Sequence, residues 1–331
     1  MSNFALPMDL PGFDAAVRDT RSTFAPARLA AAVSFSLVDE PAIAEAVSYL
    51  QGLLDDPVPE IRAQSVESLA ALAERGATVN REKLTALLRD PFAEVAAAVL
   101  QSGELLLSQP EEAALEAMAS DEEILRYSAA VLLGSLDSHG AQEALCKLLS
   151  DGAEEVRVVA ALQLGHRGNG QSVQILLNVI QKGHSASLTA IQNLANAGLP
   201  VPTDVLRELA MKRFGGGELR TMALAALARL EGGPAVDTLQ KQLQSRRKSR
   251  RLSALRACAA IPVEAFAEPL AAVVLRPRSD EEASAALYAL SETVRLFPHL
   301  GTVLDGIKSQ LPPELMNELI DYTQTAGIAE P

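Results

Sequence analysis

Tryptophan is absent from this 331-residue chain, and the whole aromatic complement is 8 phenylalanines and 4 tyrosines. Ala and Leu must therefore carry most of the burial, which suits closely packed helices better than a sheet. Cysteine is almost as scarce. Cys146 and Cys258 stand far apart and outside any CxxC or Cys/His cluster, so neither a disulfide framework nor a zinc motif is encoded. Both read as small buried hydrophobes of a reducing compartment. Nor is there a membrane span. Residues 183–203 carry no charge, but their Asn, Gln and Pro content disqualifies them. The opening MSNFALPMDLPGFDAAVRD lacks the basic and apolar regions of a signal peptide. A cytoplasmic protein is the expectation.

Positive charge is also in deficit, with 29 Lys and Arg against 42 Asp and Glu, a net charge of −13. All of the excess lies in residues 1–150, which hold 10 basic and 23 acidic residues; residues 151–331 hold 19 of each. Nucleic acid bound along the full length would need a continuous basic surface, which this balance denies.

What the sequence does have is a repeat. A ten-residue pattern reads apolar, often Arg, two variable, two small or apolar, two variable, Leu, then a small residue. It is clearest in Ile61-RAQSVESLA, Leu125-RYSAAVLLG, Val156-RVVAALQLG and Leu219-RTMALAALA, with weaker copies starting at Leu29, Val95, Ala186, Arg250 and Glu282. The starts are about 31 residues apart. A second apolar-periodic segment precedes each copy, and a short Asp-, Pro- or Gly-bearing turn separates the two. Apolar residues at positions 1, 5, 6 and 9 describe one helical face. Each unit is thus a helix, a turn and a helix, and one such hairpin cannot bury its own apolar face, so neighbours must stack.

The motif D-x(4)-VRxxAAxxLG resembles HEAT repeats, specifically the short bacterial form also found in phycobilisome bilin lyases. The resemblance implies an all-α, right-handed α-solenoid of about nine helical hairpins with degenerate ends. The expected division is an N-terminal extension or cap over 1–26, one solenoid over 27–320 and a tail over 321–331. It further implies a structural ladder: Asp56, Asp90 and Asp151, five residues before the pattern, would tie turns to the position-2 arginines Arg62, Arg126, Arg157, Arg220 and Arg251. Ala96 and Ser187 interrupt that ladder, and looser stacking is expected there. HEAT arrays are mostly scaffolds and adaptors, so a non-enzymatic protein-binding role follows, with no cofactor. The alternatives are a bilin-lyase-like chaperone that presents a small ligand, or a nucleic-acid binder acting through the basic run at 246–256.

Catalytic signals are few. None of the four histidines precedes Glu, in contrast to deoxyhypusine hydroxylase, a HEAT-like enzyme whose iron is held by His-Glu pairs. The histidines are read as unpaired at i+3 or i+4, with His139, His166 and His184 in turns, so no metal site is expected. His166-RGNG and Gly215-Gly216-Gly217 lack the Gly-Lys-Ser/Thr ending of a phosphate loop. The pairs Glu122-Glu123 and Glu154-Glu155 fit helix starts, where they complement the dipole. The alkylpurine DNA glycosylase form of the fold needs a basic, aromatic-lined groove and is not matched either.

Three surfaces are candidates for partner binding. Tyr127, Val131, Leu162 and Leu188 would form an apolar concave groove for an amphipathic helix, or would simply fill contacts between repeats; the second reading is favoured. Arg246, Arg247, Lys248, Arg250 and Arg256 form a basic knuckle facing an acidic partner, or the acidic half of a second copy, with residues 245–249 in a turn and Arg250 opening the helix. Glu111, Glu112, Glu116, Asp121, Glu122 and Glu123 form an acidic run.

Overall fold

The computed structural model describes residues 10–211 and 217–325. Among them are 21 α-helices and no strand, so the all-α solenoid expected from the repeat is what the chain builds. Contacts group it into two compact units, residues 1–164 and 165–331, with the division inside helix Glu154–His166.

In the first unit the second helices of successive hairpins, Ala25–Ser36, Pro59–Glu74, Ala93–Gln101 and Glu123–Ser135, pack one on the next. In the second unit the same holds for Ser187–Asn196, Gly217–Leu230, Lys248–Ala260, Asp280–Leu296 and Pro313–Thr325. Pattern positions 1, 6 and 9 of the first clear copy, Ile61, Val66 and Leu69, are buried. Ser68 and Leu132 at position 8 and Val158 and Val159 at positions 3 and 4 are buried too. These side chains outside the core stripe are therefore withdrawn from solvent. The small residue closing the pattern has a steric cause. A Cβ on Gly134 would come within 2.2 Å of Gln163, and one on Gly165 within 2.6 Å of Leu176.

The N-terminal segment supplies a short helix, Phe13–Asp19, whose Phe13 meets Phe35 edge-on at 5.7 Å. Phe35 stacks in turn on Tyr49 at 5.5 Å. Aromatic contacts of this kind contribute about 0.5–1.5 kcal/mol each beyond the area they bury. Phe4, Pro7, Phe214, Gly215 and Gly216 lie outside the described residues, as does the tail beyond Thr325; Asp321 to Thr325 are still helical.

The turns share one local device. The N-cap residues Val58, Phe92, Glu122 and Arg247 are extended and carry no side-chain cap. Instead the side chain two residues earlier accepts the N-cap amide: Asp56 from Val58, Asp90 from Phe92, Ser120 from Glu122 and Ser245 from Arg247. These Asx and Ser turns fix the entry of each second helix.

The position-2 arginines then join the turns into a ladder. Arg62 donates Nη1 to the Asp56 carbonyl at 2.7 Å, and Nε and Nη2 to Asp90 at 2.8 and 2.7 Å. Arg126 repeats the arrangement, donating to the Ser120 carbonyl at 3.0 Å and to Asp151 at 2.8 and 3.0 Å. Arg157 donates Nη1 to the Asp151 carbonyl at 2.7 Å. Paired, bidentate forks of this kind are the strong form of charge-assisted hydrogen bond.

Two rungs differ from expectation. Asp56 receives its fork from Arg28, at 2.6 and 2.9 Å, which places the first weak copy at Ala27 rather than Leu29. Arg251 pairs through Nε and Nη2 with Glu282, at the helix start, because Pro277 occupies the usual turn position. Ala96 and Ser120 leave one rung without either charge, and a cleft of about 580 Å³ lined by both opens there. Arg220 lies 25 residues before Ser245, the spacing of Arg126 to Asp151, and its buried Nε has no hydrogen-bond partner. At this rung a serine stands where the arginine fork would meet a carboxylate.

The carboxylates record the pairing. Bonds from Arg126 outweigh burial and hold Asp151 below the usual carboxylate range, and Arg251 does the same for Glu282. Burial raises Asp90, but the Arg62 fork and the Phe92 amide more than offset it.

Candidate partner-binding groove

Within the second unit a groove of about 500 Å³ runs across four consecutive second helices. Its lining follows the repeat. Gln192, Arg256 and Tyr288 occupy pattern position 7, and Asn196, Arg229, Ala260 and Glu292 occupy the residue just past the pattern, one helical turn later. Positions separated by four residues share a face. Leu255 and Leu296 add apolar walls.

Polar contacts at the helix ends hold this surface together. The Asn196 side-chain amide donates to the Ala260 carbonyl at 2.8 Å. Arg229 donates Nε to the Ala195 carbonyl at 3.1 Å and Nη1 to the Pro262 carbonyl at 2.7 Å. Ala195 and Ala260 are at the last turns of their helices, where carbonyls lack intrahelical donors. Arg256 and Arg295 are each met by a carboxylate, from Glu218 and Glu292. Arg229 is met by none among the described residues, and burial lowers its pKa. Tyr288 is 45% exposed and Leu296 42%. The Tyr288 ring is backed by Tyr322, with centroids 5.3 Å apart.

The candidates drawn from sequence are distributed differently. Arg256 joins the groove. Arg246, Arg247, Lys248 and Arg250 are exposed, with Lys248 bound to Glu281 at 2.7 Å, and the helix opens at Lys248 rather than Arg250. Tyr127 and Val131 are half-buried against the core of the first unit, and Leu162 and Leu188 are half-buried as well. The structure places none of these four among the exposed large hydrophobics. Arg229, Tyr288 and Leu296 were not singled out from the sequence, although Arg229 lies only one residue beyond the ten-residue pattern.

The histidine reading needs correcting. His139 and Glu143 are paired at i+4, 3.1 Å apart, and His299 meets Glu264 at 2.6 Å. His139 opens one helix and His166 closes another, so of the three placed in turns His184 alone lies outside a helix. Among the described residues no group of three or more His, Cys, Asp or Glu is arranged to hold a metal, and no helix is long and apolar enough to cross a membrane.

Comparison with known proteins agrees with the repeat. The family model described as HEAT repeats matches residues 111–195, and the one described as HEAT repeat matches residues 46–76. These parts of the chain carry HEAT repeats. Among solved structures it is similar to the Escherichia coli protein YibA, at 18% identity and a TM-score of 0.46, over 66% of this chain and 81% of that one. An engineered protein matches at 20% identity and a TM-score of 0.41, over 95% and 98% of the two chains. Human deoxyhypusine hydroxylase, solved with glycerol, matches at 16% identity and a TM-score of 0.31, over 96% of each. No curated protein sequence matches the chain.

Proposed function

We propose that this protein is a non-enzymatic scaffold or adaptor that binds a protein segment along the groove of its second unit. The observation that carries this reading is the groove's composition. It joins an exposed aromatic ring and an exposed leucine to guanidinium and amide groups held in place by bonds to helix-end carbonyls. Rigid aromatic and Arg groups in a concave surface are the usual energetic anchors of protein recognition. HEAT repeats commonly bind proteins, which supports the same reading.

The test is site-specific. A photo-crosslinking residue is placed at Tyr288, at Leu296 and, as control, at the exposed Lys241 on first helix Pro234–Leu243, in the native host. A shared crosslinked protein from the first two positions and none from the third is expected. Equal yield from all three positions would reject the groove as the binding surface.

A further inference from the structure

We propose that the groove selects an acidic segment, and that the Arg229 guanidinium is the anchor for one of its carboxylates. This rests on the protein-binding reading above and adds the chemistry of the partner.

The argument starts from an imbalance. In the second unit Arg207, Arg251, Arg256 and Arg295 each have a carboxylate within salt-bridge distance. Arg229 has two backbone carbonyls instead. Those carbonyls neutralise only part of its charge: each carries a partial negative charge, and the Ala195 carbonyl alone lies at the negative end of a helix. They also hold the planar group fixed by Nε and Nη1, so little side-chain entropy is left to lose when an anion arrives. A partly desolvated cation without a counter-anion is an incomplete site, because burial penalises its charge until an opposite charge is supplied. Burial correspondingly lowers the Arg229 pKa.

The surroundings define the rest of the ligand. Tyr288 and Leu296 offer exposed apolar surface in the same groove, and Gln192 and Asn196 line its polar wall. The occupant that fits is an extended segment carrying Asp or Glu beside an apolar residue. Charge complementarity favours this occupant locally although the chain as a whole carries −13. The long-range field repels acidic ligands, so binding of one would report a specific local site.

Three acetylated, amidated hexapeptides test the proposal on the full chain: alternating Leu-Glu, Leu-Gln and Leu-Lys, measured by calorimetry at 150 mM salt. The Leu-Glu peptide is expected to bind more tightly than the others. Arg229→Gln should weaken it about tenfold or more, the worth of a charge-assisted hydrogen bond, without changing Leu-Gln binding. Arg229→Lys, which keeps the charge, should retain more of the affinity, and Lys241→Gln, on helix Pro234–Leu243 outside the groove, should leave it unchanged. Thermal melts separate these effects from misfolding. If Arg229→Gln does not fold, the Arg229 side-chain Nε–H resonance of the unmodified chain is followed instead, and it should shift on adding Leu-Glu alone. Equal binding of Leu-Glu and Leu-Gln, indifferent to Arg229, overturns the anchor while leaving the groove as a binding surface. No binding of any peptide with an unmoved Arg229 resonance also overturns the anchor, and the crosslinking above then decides the wider reading independently.

Discussion

Replacing Arg62 by alanine should expose the character of the ladder. The Arg62 and Asp90 side chains are 10% and 5% accessible, so the pair is largely withdrawn from solvent. Removing the guanidinium deletes three hydrogen bonds and leaves the Phe92 amide still donating to Asp90. Breaking one side of a buried pair costs about 3–5 kcal/mol, mostly as the penalty of the stranded charge. The chain itself contains the double replacement: Ala96 and Ser120 occupy the next rung, where the serine still caps its turn. Adding Asp90→Ser to Arg62→Ala should therefore recover at least about 1 kcal/mol, although Asp90→Ser alone destabilises. Urea denaturation with hydrogen exchange on helices Pro59–Glu74 and Ala93–Gln101 reads all four forms. Additive losses, with no recovery in the double variant, would refute the view that the ladder is a charge-balanced unit.

Other outcomes follow from the same geometry. Ser245→Asp should supply the carboxylate that the Arg220 Nε lacks and raise the melting temperature, by a gain on the order of 1 kcal/mol, less the cost of burying the new charge. Asp151 has a depressed native pKa, as do Asp90 and Glu282. Their contribution is complete above the ordinary values of 3.8 and 4.5 and is lost as the pH falls through the lowered native ones, so an acid titration should show stability declining below about pH 4. Salt should shift this transition little, because the pairs are buried. Burial pushes the Cys258 thiol up to about 12, so iodoacetamide at pH 8 should leave it unmodified until the chain is unfolded.

How much of this was legible in the sequence depends on the distance between interacting residues. The helical pairs and the core stripe are local, set by periodicity within ten residues, and reading them needed only the pattern. The rungs join residues 25 to 31 apart, through turns of unequal length. Arg28 was hidden because its copy is too degenerate to fix the register. Glu282 was hidden because a carboxylate from the helix start substitutes for one from the turn. The Tyr127, Val131, Leu162 and Leu188 set reflects the same limit: apolarity alone does not distinguish an open face from a contact with the next repeat. Arg229 escaped because its position lies one residue past the window in which the repeat is recognisable. The periodic signal there is carried by a face rather than a residue type, with Asn196, Arg229, Ala260 and Glu292 in equivalent places.

The most direct test of the groove as the functional surface is hydrogen exchange of the full chain, with and without the partner identified by crosslinking. Protection is expected in the second helices Ser187–Asn196, Gly217–Leu230, Lys248–Ala260 and Asp280–Leu296, concentrated toward their C-terminal halves. Protection confined to the first helices Pro234–Leu243 and Ala267–Leu275 would contradict the account.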